Sequence, residues 1–216
     1  MTNISKNSTI KIQIGRTTEL QGGDIVLTET NRQTQSEKIL LAAYACISAR
    51  GYANVSMRDI ADEAGVVLSQ LNYYFRNKEG LYKEVVGMMI TKYLKEIEES
   101  LKQKNSPQKR AKGLINYFSN MLQHNPELFR LLYDFTGLAI WSPVFSSLLS
   151  ELFKELSNMI EKYVFCDFQT KELKGYSTKT LSRLILGSMF GTGIQVLLDK
   201  DEELPEALNA MQILFE

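Results

Sequence analysis

At 216 residues the chain can hold two modest domains or one large one, and 44% hydrophobic content with ten Phe, ten Tyr and one Trp is enough for a substantial core. Its 25 basic residues balance its 25 acidic ones, so no net positive field draws nucleic acid, and any such affinity must come from local placement. There is no apolar run of about 18 residues, no apolar leader and only one histidine, His124, which speaks against a membrane span, secretion, a His-based metal site and a His-containing triad.

Residues 1–35 are polar, rich in Thr, Asn, Gln and Gly, and read as a flexible N-terminal arm. A marginal hairpin around Ile10, Ile12, Ile14 and Ile25-Val26-Leu27 is conceivable, but a lone two-stranded hairpin is rarely stable. Lys6, Lys11, Arg16 and Arg32 would let such an arm brush DNA. From Ser36, a plausible cap, to residue 50 a helix is expected, with Ile39, Ala43 and Ile47 on one face.

The run Ser56–Tyr82 is the most informative segment. Ser56 stands at a helix N-cap with Asp59 three residues on, a capping pattern. Ile60, Ala61 and Ala64 give the short helix 57–64 a small apolar face. Gly65 then ends it, because glycine takes the left-handed conformation without steric cost. Leu71 and Phe75, four apart, share the packing face of the next helix. That leaves Ser69, Gln70, Asn72 and Tyr73 pointing outward, with hydrogen-bonding groups suited to base edges and phosphates. Asn77-Lys78 opens a further helix and puts Lys78 where a flanking phosphate could lie, so Lys78→Ala is expected to weaken binding to all DNA about equally. Spacing alone fits a DNA-reading helix-turn-helix and an ordinary α-hairpin equally well. Across residues 36–83, six basic residues (Lys38, Arg50, Arg58, Arg76, Lys78, Lys83) face five acidic ones (Glu37, Asp59, Asp62, Glu63, Glu79), a net charge of only +1.

A long helix, 78–104, follows, with Leu81, Val85, Met88, Ile97 and Leu101 marking its buried stripe and Asn105-Ser106-Pro107 ending it. Residues 107–216 carry the pattern of about five more helices, broken at His124-Asn125-Pro126 and Ser142-Pro143. His124 sits where it would cap a helix end. Aromatic and Met side chains are dense over 117–145: Tyr117, Phe118, Met121, Phe129, Tyr133, Phe135, Trp141 and Phe145. Such groups can line an apolar cavity, although plain core packing accounts for each of them singly. In the helix opened by Ser177-Thr178, Gly187, Gly191 and Gly193 each cost about 1 kcal/mol against Ala. Gly187 and Gly191 share a face where another helix, from this chain or a second copy, could approach closely. Cys46 and Cys166 read as small hydrophobes in a reducing compartment, with a redox role left open. No phosphate-binding glycine loop, nucleophile elbow or metal-ligand spacing is present, so no cofactor is expected.

The segment of residues 36–83 resembles the DNA-binding domain of the tetracycline-repressor (TetR) family of bacterial transcription regulators. The resemblance rests on Gly51-Tyr52, Met57-Arg58-Asp59-Ile60-Ala61, Ala64-Gly65-Val66, Leu71, Tyr73, Phe75, Lys78-Glu79 and Leu81-Tyr82. It implies an all-α chain: a three-helix DNA-binding domain over 36–83 and a helical regulatory and dimerisation domain over 84–216, linked by helix 78–104. It further implies a cytoplasmic, non-enzymatic homodimer, most simply a repressor, that binds a palindromic double-stranded operator and is released by a small hydrophobic ligand, with no membrane partner. On this reading Ser56, Arg58, Ser69, Gln70, Asn72, Tyr73 and Lys78 bind DNA. Tyr117, Phe118, Met121, Phe129, Tyr133, Trp141 and Phe145 surround the ligand, and Gly187, Phe190, Gly191 and Ile194 form the dimer interface. Family members usually place Ser or Thr after the Gly-Val pair to cap the reading helix; this chain has Val67, then Leu68. Either Ser69 caps one turn later or that end frays until DNA binds, because a missing N-cap costs about 0.5–2 kcal/mol. The alternative is an all-α ligand carrier or enzyme whose helix pair is purely structural.

Overall fold

The computed structural model describes residues 25–166, 175–199 and 203–212, with side chains from Gln35 onward save those of 204 and 205. Among the described residues there is no strand. The helices are α1 (Ile25–Arg50), α2 (Met57–Ala64), α3 (Leu68–Tyr74), α4 (Lys78–Lys102), α5 (Pro107–His124), α6 (Pro126–Trp141), α7 (Pro143–Tyr163), α8 (Thr178–Leu198) and α9 (Glu203–Ala210), with a 3-10 turn at Tyr52–Asn54. The all-α expectation is met. One boundary differs: α1 starts at Ile25, not Ser36, so residues 25–35, assigned to the arm, are helical. The other basic and apolar positions of that arm reading, up to residue 24, lie outside the described residues.

Local chemistry sets most helix starts. Ser106 accepts the Lys109 N–H and Pro107 follows at the first helical position, where its missing N–H costs nothing. Pro126 and Pro143 open α6 and α7 in the same way. Ser177 accepts the Thr180 N–H at the head of α8. Asn77 accepts the Gly80 N–H at the head of α4.

Two apolar cores result. The first gathers Ile39, Ala43 and Ile47 of α1, Ile60 and Ala61 of α2, Leu71 of α3 and Leu81, Tyr82 and Val85 of α4. It does not stop at residue 83, because Leu131, Phe135 and Ala139 of α6 and Phe145 of α7 belong to it. The second core lies further along the chain, around Leu101, Ile115, Phe129, Ile160, Met189 and Leu208. The helix-turn-helix is therefore seated on α6 and α7 by shared packing. Phe135, 1% exposed, meets Tyr82 edge-on at 6.4 Å and Phe145 at 5.8 Å. Phe135→Ala is expected to cost about 3–5 kcal/mol in denaturant unfolding. A loss below about 1 kcal/mol would mean that this seam carries little of the stability.

Candidate nucleic-acid interface and ligand cavity

The helix-turn-helix is built by short-range bonds. Ser56 and Asp59 form a reciprocal capping box: the Asp59 N–H donates to Ser56 Oγ at 3.2 Å and the Ser56 N–H donates to Asp59 Oδ2 at 2.7 Å. The Ser56 hydroxyl, which also donates to Asp59 Oδ2, and then the Ser56 N–H, ahead of the nearby Arg50 guanidinium, hold the Asp59 carboxyl below the usual carboxylate range. Gly65 ends α2 at φ 65°, ψ 34°, left-handed space in which a Cβ would be strained. The Val66 N–H donates to the Ala61 carbonyl at 2.9 Å and completes the turn.

Helix α3 begins at Leu68 with Val67 as its N-cap and no side-chain cap bond. Ser69, already in the first helical turn, does not cap it, so that alternative falls. Leu71 and Phe75 are buried, as their spacing requires. Ser69, Asn72 and Tyr73 are exposed and Gln70 is half-buried. Tyr73, 67% exposed, meets Tyr74 edge-on at 5.3 Å. Arg58 is exposed on α2, whereas Ser56 is committed to the capping box.

Lys78 is placed differently from the sequence expectation. Its Nζ donates to the Tyr52 carbonyl and lies 4.1 Å from the centroid of the Tyr52 ring. Burial pulls its pKa below the usual lysine range, against a smaller opposing pull from Asp59. The ammonium, held on a carbonyl and a ring face, braces the 3-10 turn. The contact spans 26 residues, beyond what local patterning reads.

Helices α4 to α8 enclose a cavity of about 120 Å³ whose walls are hydrocarbon. Of the expected ligand residues, Tyr117, Phe118, Met121 and Phe129 line it; Tyr133, Trp141 and Phe145 do not. Tyr133 points its hydroxyl at the Phe190 carbonyl, 2.6 Å away, and burial pushes its pKa up to about 12. Trp141 ends α6 at 87% exposure. Phe145 packs in the first core against Tyr82, at 5.6 Å. A helix turns successive aromatics to different faces, so density along the sequence overstated the cluster. The expected set also missed the α4 wall, Val86, Met89, Ile90, Tyr93 and Ile97, together with Leu156 of α7 and Met189 of α8. Their spacing of three to four along α4 is the signal that could have found them. The lining from Val86 to Ile97 runs roughly 16 Å along the α4 axis, so the cavity is narrow and elongated. The Tyr117 hydroxyl donates to Glu96 at 2.9 Å, and Tyr93 is hydrogen-bonded to Tyr44 of α1.

On α8, a Cβ built at Gly187 or Gly191 would meet nothing within 4 Å. The close approach within the chain falls instead at Gly193, where a Cβ would lie 2.8 Å from the Tyr133 hydroxyl and 3.2 Å from Phe118. Phe190 is turned inward, onto Tyr133 and Phe153 at 5.5 and 5.0 Å, and lines the cavity. It does not share the outer face. That face carries Leu184, Ile194 and Leu198, at 63%, 39% and 79% exposure. By length and composition alone α8 is long and apolar enough to cross a membrane, a test that the core helix of a soluble protein also passes, and 28% of its apolar window is buried within the chain. His124 donates from Nδ1 to the Asn120 carbonyl, 2.9 Å away, at the end of α5. Cys46 is buried and Cys166 exposed, both as free thiols. No cluster of three metal-ligating side chains occurs among the described residues.

A capped helix pair exposing polar groups on its second helix is thus joined by one long helix to a bundle around an apolar cavity. Residues 39–85 match the family model for bacterial regulatory proteins of the tetR family. The transcriptional activator FasR of Mycolicibacterium smegmatis is 25% identical over 103 residues, 48% of this chain and 47% of FasR. The HTH-type regulator YttP of Bacillus subtilis is 29% identical over 132 residues, 60% of each chain. The matched segment thus spans about half the length of these relatives. Among solved structures, a TetR transcription regulator of Haloarcula marismortui superposes with TM-score 0.72 at 19% identity, over 85% of this chain and 96% of that one. The regulator FadR of Bacillus subtilis, solved with stearoyl-CoA, superposes with TM-score 0.67 at 22% identity, over 83% and 96%. At these identities the superpositions establish the fold. The match thus places a tetR-type helix-turn-helix domain at residues 39–85.

Proposed function

We propose that the chain is a cytoplasmic, homodimeric repressor that reads a palindromic operator with α3 and leaves it when an apolar ligand fills the cavity. The observation that carries this reading is the arrangement of α4: its first turns are part of the helix-turn-helix core and its middle turns wall the cavity. A ligand that binds one spacing of the helices more tightly than another shifts the population toward that spacing. The two reading helices would sit one DNA turn, roughly 34–36 Å, or a multiple apart. Gln70 and Asn72 read bases, Ser69 and Tyr73 hold the backbone, and Arg58 supports from α2. The exposed stripe of α8 around Gly187, Gly191 and Ile194 pairs with its copy.

The ligand class follows from the wall. An elongated hydrocarbon cavity offers no partner to a buried polar group, which would cost about 1–3 kcal/mol or more if left unpaired. The ligand is accordingly an apolar chain or ring system with its polar end outside. Long-chain acyl compounds are the first probes, since FadR of Bacillus subtilis was solved with stearoyl-CoA. Selection of bound sequences from random DNA tests the core of the proposal. A palindrome is the expected result; recovery of no preferred sequence would overturn it. On the selected operator, Gln70→Ala should lose about 1–3 kcal/mol of discrimination at one base pair per half-site, with less change on random DNA. Equal losses on both would remove Gln70 from the reading set.

A further inference from the structure

Tyr52, in the turn between α1 and α2, is held from three directions. Its main-chain N–H donates to Asp134 Oδ2 of α6 at 3.0 Å. Its carbonyl and ring face take the Lys78 ammonium of α4. Its ring packs on Tyr82 of α4 with centroids 4.6 Å apart, and the Tyr82 hydroxyl donates to the Leu131 carbonyl of α6 at 3.2 Å. Gly51, just before, has φ +81°, and a Cβ there would stand 3.2 Å from Asp134 Oδ2. The turn is thus pressed onto α6 through one carboxylate. Around that contact the junction is open, a crevice of about 680 Å³ bounded by Arg50, Asn54, Arg130 and Gly137.

Helix α6 also forms one wall of the ligand cavity, through Phe129, Leu131, Leu132 and Phe135. Asp134 lies between the last two in sequence. Tyr52 is therefore tied to two of the helices that wall the cavity, to α4 by Lys78 and Tyr82 and to α6 by Asp134. While α4 and α6 keep their spacing, every tie is satisfied. When something in the cavity separates them, the turn must follow one helix and leave the other. Tyr52 leads through Val55, 2% exposed, to the Ser56 cap of α2 and so to α3. A displacement of the turn is a displacement of the reading helix.

We propose that Asp134 is a positioning residue for DNA release: it transmits movement of α6 to Tyr52, and without it the cavity and the reading helix are uncoupled. This rests on the ligand-responsive reading above. Coupling between two sites is a free energy measurable from either end, so it can be tested without the natural ligand. The buried cavity residue Met189, replaced in M189W, serves as a built-in occupant. Operator affinity of the full-length protein is measured for wild type, M189W, D134A and the double variant, on the operator selected from random DNA. Filling the cavity is expected to weaken operator binding at least fivefold in the Asp134 background and less than twofold with D134A. D134N, whose amide oxygen can still accept from Tyr52, should restore the full response, which a general loss of stability would not. D134S, too short to reach the amide, replaces D134A should that variant fail to fold. An equal response in D134A and wild type, or no response to M189W at all, overturns the proposal. A parallel titration with stearoyl-CoA separates the two ideas. If the acyl probe does nothing while the M189W cycle shows coupling, the ligand reading fails and the Asp134 tie stands.

Discussion

Gly187→Arg is expected, on the dimeric reading proposed above, to give a folded monomer whose affinity for the selected operator is about 10²–10⁴-fold weaker than that of the wild type, the range that linking two binding modules contributes. The size of the loss follows from the weak electrostatics of one module. With a net charge of only +1 over residues 36–83, a single reading head has little long-range attraction to phosphate. Two heads on one rigid frame turn the second contact into an intramolecular event. The substitution is chosen because it leaves the chain's own packing intact. A Cβ at Gly187 meets nothing within 4 Å and the residue is exposed, and Arg is favoured over Gly in a helix by roughly 0.8 kcal/mol. Any effect must then come from a second copy, into whose interface the guanidinium would project. Sedimentation gives the mass and fluorescence anisotropy the affinity. A variant that stays dimeric, or a monomer that binds as tightly as wild type, would remove α8 from the interface.

What the sequence made legible was local chemistry. The Ser56–Asp59 box, the left-handed Gly65, the Leu71–Phe75 pair and the Pro-led starts of α5, α6 and α7 each depend on residues at most a few positions apart. Each stands as the pattern requires. The head of α1 was not legible, because its polar residues show no 3.6 period and helix propagation from a packed segment needs none. The Lys78–Tyr52 bond was not legible because the partner is contributed from 26 residues earlier, by a turn that only the tertiary fold brings under the ammonium. The three glycines of α8 looked alike in the sequence. The fold separates them: Gly193 receives the Tyr133 hydroxyl and Phe118, while Gly187 and Gly191 look outward. The aromatic cluster divided for the same reason, since Tyr117, Phe118, Met121 and Phe129 face the cavity while Phe145 serves the other core.

Met189→Trp is expected to abolish stabilisation by an acyl probe. A ligand at one hundred times its dissociation constant adds about 2.7 kcal/mol to the stability of the state that binds it. For a chain of this size that corresponds to a rise in Tm of about 5–11 °C. Met189 is 2% exposed and lines the cavity, so an indole in its place has the cavity as its space and displaces an occupant there. Overpacking costs about 1–3 kcal/mol, offset in part by filling a void whose walls otherwise lack contacting atoms. The variant's own Tm should therefore move by less than the ligand-induced rise that it loses. Cavity walls of this hydrocarbon character accept apolar molecules because no buried polar group has to be matched. The discriminating measurement is a thermal melt of wild type and M189W with and without stearoyl-CoA, beside a shorter acyl-CoA and free coenzyme A. Wild type should respond to the long acyl chain and not to free coenzyme A, since the hydrocarbon end supplies the burial. A full Tm rise in M189W would place the acyl site outside this cavity, and a rise with free coenzyme A alone would assign recognition to the polar end.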